Sequence, residues 1–161
     1  LMKRILLTLM FVTILAFAVQ SQTRLGVGLG WGSDIEELGF GVNGEFFVNE
    51  KVSINPGFIF FLVGDGNFNK QNFWAFNANA NYYFAEEGSV AFYGIGGLNL
   101  STYSYERNDR EDFSNTELGI NLGIGSNFDV GGSVYPYAEL KYVLGKYDQL
   151  VLFFGAKFTL N

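Results

Sequence analysis

The chain has 161 residues, one domain's worth, with 21 Gly, 18 Phe and 9 Tyr, no Cys, no His and a formal net charge of −6. Without Cys there is no disulfide framework, thiolate metal site or lipid-attachment cysteine, and without His the commonest general base and metal ligand are missing. An acidic balance with no basic stripe excludes a nucleic-acid binder, while abundant Gly and aromatics with few charges favour strands over helices.

Residues 1–21 read as a secretory signal peptide. Lys3 and Arg4 form a positive start, an apolar run over 5–19 is broken only by Thr8 and Thr13, and Ala16, Ala18 and Ser21 offer small residues for cleavage. As a helix that run spans only about 22 Å, short of the roughly 30 Å needed to cross a bilayer core. Cleavage after Ala18 and after Ser21 both fit. Removing Lys3 and Arg4 leaves 8 basic against 16 acidic residues. The remaining 22–161 is expected to form one domain.

Eight segments of that domain alternate with period two, the signature of strands with one apolar face. The first sets Leu25, Val27, Leu29 and Trp31 against Arg24, Gly26, Gly28 and Gly30. The second sets Leu38, Phe40, Val42, Phe46 and Val48 against Asn43 and Glu45. The third sets Val52, Ile54, Phe58, Phe60 and Leu62 against Ser53 and Asn55, with Pro56 in its middle, where a missing N–H predicts a bulge or a local break. The fourth sets Trp74, Phe76, Ala78, Ala80, Tyr82 and Phe84 against Asn77, Asn79, Asn81 and Tyr83. In the fifth, from Val90 to Tyr103, the apolar parity switches at Gly96-Gly97, so a β-bulge is expected there. The sixth sets Leu118, Ile120, Leu122, Ile124 and Phe128 against Gly119, Asn121, Gly123, Gly125 and Asn127. The seventh sets Val134, Ala138, Leu140, Tyr142 and Leu144 against Tyr135, Tyr137, Glu139 and Lys141. The eighth sets Leu150, Leu152, Phe154, Ala156, Phe158 and Leu160 against Val151, Phe153, Gly155 and Lys157. Its 11 residues, tilted near 45°, rise about 26 Å, roughly the apolar band of a membrane barrel. The connections alternate between three short turns and four others, of which 63–72 and 104–115 read as long polar loops. That arrangement fits an all-β, eight-stranded antiparallel up-and-down transmembrane β-barrel, preceded by the signal peptide.

Periodicity does not say which face is outside. A soluble lipocalin-like barrel would turn the apolar face inward around a hydrophobic ligand. Three observations favour the opposite. An eight-stranded lumen is only just filled by side chains, and the apolar face carries too many Trp, Phe and Tyr for it. The polar face lacks the charge density of a solvated exterior. Aromatics gather near strand ends, with Trp31, Trp74, Tyr103 and Tyr142 at one expected membrane interface and Phe46, Tyr82, Phe84, Phe128 and Phe158 at the other.

With these patterns the domain resembles the small outer-membrane β-barrel family of the OmpA-domain, OmpX and OmpW type, also labelled porin-like. The segment Tyr135-Pro136-Tyr137-Ala138-Glu139-Leu140-Lys141-Tyr142 contributes to the likeness. The ending Gly155-x-x-Phe158-x-Leu160 resembles the C-terminal signal for membrane insertion, although Asn161 follows and Phe153 stands where a polar residue is usual. The resemblance implies an outer-membrane location in a Gram-negative-type bacterium. Expected partners are outer-membrane lipid and lipopolysaccharide, and the barrel-insertion machinery through the last strand. The expected state is a monomer without cofactor or metal. Members of such families serve as envelope anchors, adhesins or small-solute pores, so the fold leaves the role open.

Charges in a narrow lumen must pair, since unpaired burial is costly. Arg24, Glu45, Glu139, Lys141 and Lys157 are therefore expected to form a network with Asn43, Asn77, Asn79, Asn81 and Asn121. A structural plug is favoured over an ion path because eight strands leave little bore. The Gly-x-Gly runs lack the spacing of a phosphate loop, and Asp65-x-Asn67-x-Asn69 lacks the glycine and terminal glutamate of a calcium loop. The mixed-sign run 106–112 reads as a solvated external loop. Lipid-modifying barrels that rely on a catalytic His have no counterpart here, and no other constellation points to an enzyme. The reading is a non-enzymatic barrel with a structural or surface-interaction role through the external loops at 63–72 and 104–115. A narrow pore for small or hydrophobic solutes is the alternative, and a soluble carrier the minor one.

Overall fold

The computed structural model describes residues 22–63, 69–107 and 110–160. The expected signal segment lies outside them, as do Asp65 and Asn67. The described chain forms β1 (Thr23–Gly32), β2 (Glu37–Phe47), β3 (Val52–Phe61), β4 (Asn69–Glu87), β5 (Val90–Arg107), β6 (Arg110–Phe128), β7 (Val134–Leu144) and β8 (Gln149–Thr159). Each strand pairs antiparallel with the next, and β8 closes on β1 from Arg24↔Thr159 to Gly32↔Val151. Closure leaves the spanning part of the sheet without an edge, which removes the main route to uncontrolled strand pairing.

The alternation places the faces as expected. Leu29, Leu38, Phe40, Leu98, Leu122, Ile124 and Phe154 are each more than half exposed on the outside. Glu45, Asn81, Asn121 and Lys157 are fully buried inside. The short turns at the end that holds the first and last strand termini have local polar stitching. Asn49 Oδ1 accepts from the N–H groups of Lys51 and Val52, both at 2.9 Å. Asp129 Oδ1 accepts from Gly131 N–H at 2.9 Å, where Gly131 and Gly132 take φ of +84° and +98°.

Three expectations about strands are corrected or refined. The bulge lies in β4, between Tyr83 and Ala85, and not at Gly96-Gly97. Pairing through the glycines is continuous, with Ala80↔Gly96 and Asn79↔Gly97. Tyr93 and Ile95 simply point inward, being 0% and 5% exposed, so no change of face is needed. Gly97 has a different reason to be glycine: a Cβ there would collide with the Ala78 carbonyl and the Asn79 side chain.

Pro56 keeps its register with Ala78 of β4, but the β2–β3 pairing passes from Asn43↔Gly57 to Phe46↔Ile54 with nothing between. The break falls beside the residue that has no N–H to donate. Pro136 pairs with Ala156 of β8 and lies just past the Asn127↔Tyr137 end of the β6 ladder.

Residues 104–115 are not a long loop. β5 and β6 run through nearly all of them, pairing Tyr103↔Asn115, Ser104↔Ser114 and Tyr105↔Phe113, and β4 begins already at Asn69. β4, β5 and β6 have 19, 18 and 19 residues against 10 or 11 in the other strands. Apolar alternation disappears in this extension because neither face needs to be apolar there. Cross-strand hydroxyl pairs take over, Thr102 Oγ1 lying 2.8 Å from Thr116 Oγ1. On β6, outward apolar residues run from Phe128 to Leu118 and stop at Thr116. At about 3.3 Å per residue and a tilt near 45°, those ten steps rise roughly 23 Å, the height of a membrane barrel's apolar band.

Candidate functional site

The lumen has three layers. At the end that holds the strand termini, Glu45 of β2 is the hub. Its Oε1 accepts from Ser53 Oγ at 2.9 Å, Tyr83 OH at 2.6 Å and Asn81 Nδ2 at 3.3 Å. Its Oε2 takes ion pairs, with Lys157 Nζ at 3.1 Å and Arg24 Nη1 at 3.7 Å. Lys157 also donates to Tyr93 OH at 3.3 Å, and that hydroxyl donates to Glu139 Oε1 at 2.8 Å. The Lys157 ammonium lies 4.8 Å and 4.7 Å from the ring centroids of Tyr93 and Tyr137. A buried ammonium is thus held by one carboxylate, one hydroxyl and two ring faces, which offsets much of its desolvation.

The middle layer is an asparagine cluster. Asn77 Oδ1 accepts from Asn99 Nδ2 at 2.9 Å, Asn121 Nδ2 at 2.8 Å and Lys141 Nζ at 3.3 Å. Asn79 Oδ1 accepts a second bond from Asn121, also at 2.8 Å. Asn43 donates to Tyr137 OH at 2.6 Å. A cavity of about 30 Å³ remains between Asn43, Asn77, Glu139, Lys141 and Phe153, room for one or two waters.

The outer layer is apolar. Ile59, Phe61, Phe73, Ala75, Tyr137 and Phe153 form a buried cluster, and Ile35, Val63, Tyr103 and Tyr147 pack against it. Phe61 and Phe73 meet edge to face at 5.6 Å, Phe73 and Tyr147 at 6.0 Å, and Tyr137 stacks on Phe153 at 5.7 Å. Gly41 makes room for the Phe153 ring, since a Cβ there would come within 2.6 Å of it. Just outside, Lys146 of the β7–β8 turn donates to Glu117 at 3.0 Å, and this carboxylate holds the ammonium above the usual lysine range.

All ten residues expected in the lumen face it: Arg24, Asn43, Glu45, Asn77, Asn79, Asn81, Asn121, Glu139, Lys141 and Lys157. They fall into two groups, one around Glu45 and one around Asn77. Lys141 bonds to Asn77 and, among the described residues, makes no ion pair with Glu139. Sequence reasoning did not single out Tyr83, Tyr93, Tyr137, Ser53, Asn99 and Asn127, which complete the polar groups, or Ile59, Phe61, Phe73 and Phe153, which close the top. The parity of Tyr83, Tyr137 and Phe153 placed them opposite the apolar face, so the signal was present.

Of the aromatics expected at the membrane interfaces, Trp31, Tyr82, Phe84, Phe128, Tyr142 and Phe158 are exposed on the outside, and Trp74 and Phe46 are half-buried on the same face. Tyr103 is the exception. It turns inward over the aromatic cluster, 6.5 Å from Phe73, because β5 keeps one parity from Tyr93 onward. Among the described residues no group of three or more Asp or Glu is placed to hold a metal ion.

An apolar exterior around a packed polar interior, closed by eight antiparallel strands, defines an integral outer-membrane β-barrel. The chain belongs to the family described as outer membrane protein beta-barrel domain, which it matches over residues 5–158. It is an outer-membrane protein of the Gram-negative type. No curated protein matches it significantly in sequence. Among solved structures it is similar to the N-terminal β-barrel domain of Pseudomonas aeruginosa OprF, with TM-score 0.71, 14% identity and coverage of 88% of this chain and 98% of that one. It is also similar to Ail, the attachment invasion locus protein of Yersinia pestis, with TM-score 0.65, 13% identity and coverage of 86% and 97%. The Neisserial surface protein A gives TM-score 0.60, 14% identity and coverage of 84% and 92%. At such identities the likeness is one of fold.

Proposed function

We propose that this barrel is a closed, non-enzymatic envelope protein that works through its outer surface rather than through its lumen. The observation that carries this reading is the double closure of the bore, by the Glu45–Lys157–Tyr93 cluster at one end and the Phe61–Phe73–Phe153 cluster at the other. The extension of β4, β5 and β6 beyond the apolar band supplies the surface, with strand in place of loop at 69–72 and over nearly all of 104–115. Ail, a structural neighbour with the same fold, has been solved in complex with the heparin analogue sucrose octasulfate, so a barrel of this shape can bind a ligand. Two rings of outward aromatics, with Trp31 and Trp74 in one and Tyr82, Phe128 and Phe158 in the other, anchor the barrel among lipid and lipopolysaccharide. The barrel is a monomer, inserted by the cell's barrel-assembly machinery through β8.

Planar-bilayer recording tests the closed lumen. The purified protein is expected to give no steady, ion-selective openings. Regular openings that disappear in Lys141→Ala would overturn the plug and favour the narrow pore.

A further inference from the structure

We propose that the mouth at the end holding the strand termini is a binding site for a short peptide that carries a free C-terminal carboxylate and a basic side chain. The mouth is a cavity of about 640 Å³, within the range of small-ligand sites. Arg24 is among the residues that line it. This guanidinium is sandwiched between the rings of Phe47 and Tyr135, at 5.0 Å and 4.1 Å from their centroids. Its Nε is buried with no hydrogen-bond partner, and its ion pair with Glu45, at 3.7 Å, is beyond hydrogen-bond reach.

Glu45 Oε1 is taken by Ser53, Asn81 and Tyr83, and its Oε2, which faces the Lys157 ammonium at 3.1 Å, stays too far from Arg24 for a hydrogen bond. A guanidinium carries five donors in a planar fork, and two aromatic faces fix its plane without satisfying any of them. A carboxylate is the group that pairs with such a fork through two parallel bonds. Beside it, Asn127 donates Nδ2 to Tyr83 OH at 2.7 Å and fixes that wall of the cavity.

The rim has the opposite sign. Glu50, Glu86 and Asp129 are exposed around the opening, and Arg24 is the one cation lining the cavity among the described residues. A bare anion is repelled at that entrance. A ligand with a carboxylate at its tip and an ammonium behind it meets both charges in order, and the walls of Phe47, Tyr83 and Tyr135 take its apolar body.

The test uses the full chain, purified from membranes in detergent, and calorimetric titration with N-acetyl-lysyl-alanine. Saturable one-to-one binding is expected, falling about tenfold or more for the C-terminal amide and for N-acetyl-leucyl-alanine. Arg24→Gln should lose binding equally while its mobility still changes on boiling. If that variant does not fold, the two altered peptides decide alone. Absence of saturable binding by N-acetyl-lysyl-alanine, or equal binding of either altered peptide, would overturn the proposal. Neither result bears on whether the lumen conducts.

Discussion

Replacing Glu45 by alanine is expected to destabilise the barrel by about 3–5 kcal/mol, the range for removing one partner of a buried ion pair. Glu45 is the carboxylate that both Lys157 and Arg24 face, and Lys157 is fully buried. Its loss leaves the buried Lys157 ammonium without its carboxylate and close to the Arg24 guanidinium, and removes the acceptor of Ser53, Asn81 and Tyr83 at the same time. The measurement is the urea dependence of the folded band on gels of unboiled samples. Two further variants sharpen it. Glu45→Gln with Lys157→Met removes the pair together and should recover much of the loss, because the desolvation of both charges disappears with them. Lys146→Ala breaks the Glu117 pair at the exposed outer turn and should cost no more than about 1 kcal/mol. Equal effects from Glu45→Ala and Lys146→Ala would show that the lumen is wet and that its charges are screened.

Leu122→Arg is expected to cost about 2–4 kcal/mol, the penalty for a cation on the lipid face of a barrel near the bilayer midplane. Leu122 is more than half exposed and lies midway on β6 between Phe128 and Thr116, with Gly96 of β5 and Tyr142 of β7 beside it. Depth should grade the effect. Leu118→Arg, beside the Thr102–Thr116 pair where the apolar face ends, should cost about 0–1 kcal/mol. The readout is again the unfolding midpoint, measured in lipid bilayers. In a soluble setting an exposed Leu→Arg change would be almost neutral, so a flat profile at both positions would remove the membrane from the account.

The strand count, the order of pairing and the outward face were legible because each rests on a period of two, and a lipid-facing residue differs sharply from a lumen-facing one. The lumen charges were legible for a related reason. Arg24, Glu45 and Lys157 each lie opposite the apolar face of their own strand, on the neighbouring strands β1, β2 and β8, and buried charges require partners. The partners themselves were harder to find. Tyr93 and Ile95 looked like a change of face because Gly94 and Gly96 leave the outside of β5 bare, so the larger residues seemed to mark the apolar side. The same mistake put Tyr103 outside. The extended hairpin of β5 and β6 was read as loop because apolar alternation stops where the membrane does, while strand pairing, held by backbone bonds and hydroxyl pairs, continues. The aromatic cap of Phe61, Phe73 and Phe153 depends on which strands meet at one height, and that follows from barrel tilt and stagger rather than from local pattern.

The claim on which the rest depends is that the apolar face touches lipid, and the two native tryptophans report on it without any substitution. Trp31 and Trp74 both lie on the outer face, Trp74 against Phe58 at 5.7 Å. The measurement is tryptophan fluorescence in vesicles whose acyl chains carry bromine. Strong quenching by the brominated lipid, with little response to iodide in the water, is the predicted result. Fluorescence indifferent to bromine would mean that the greasy rings do not face the bilayer, and would contradict the account.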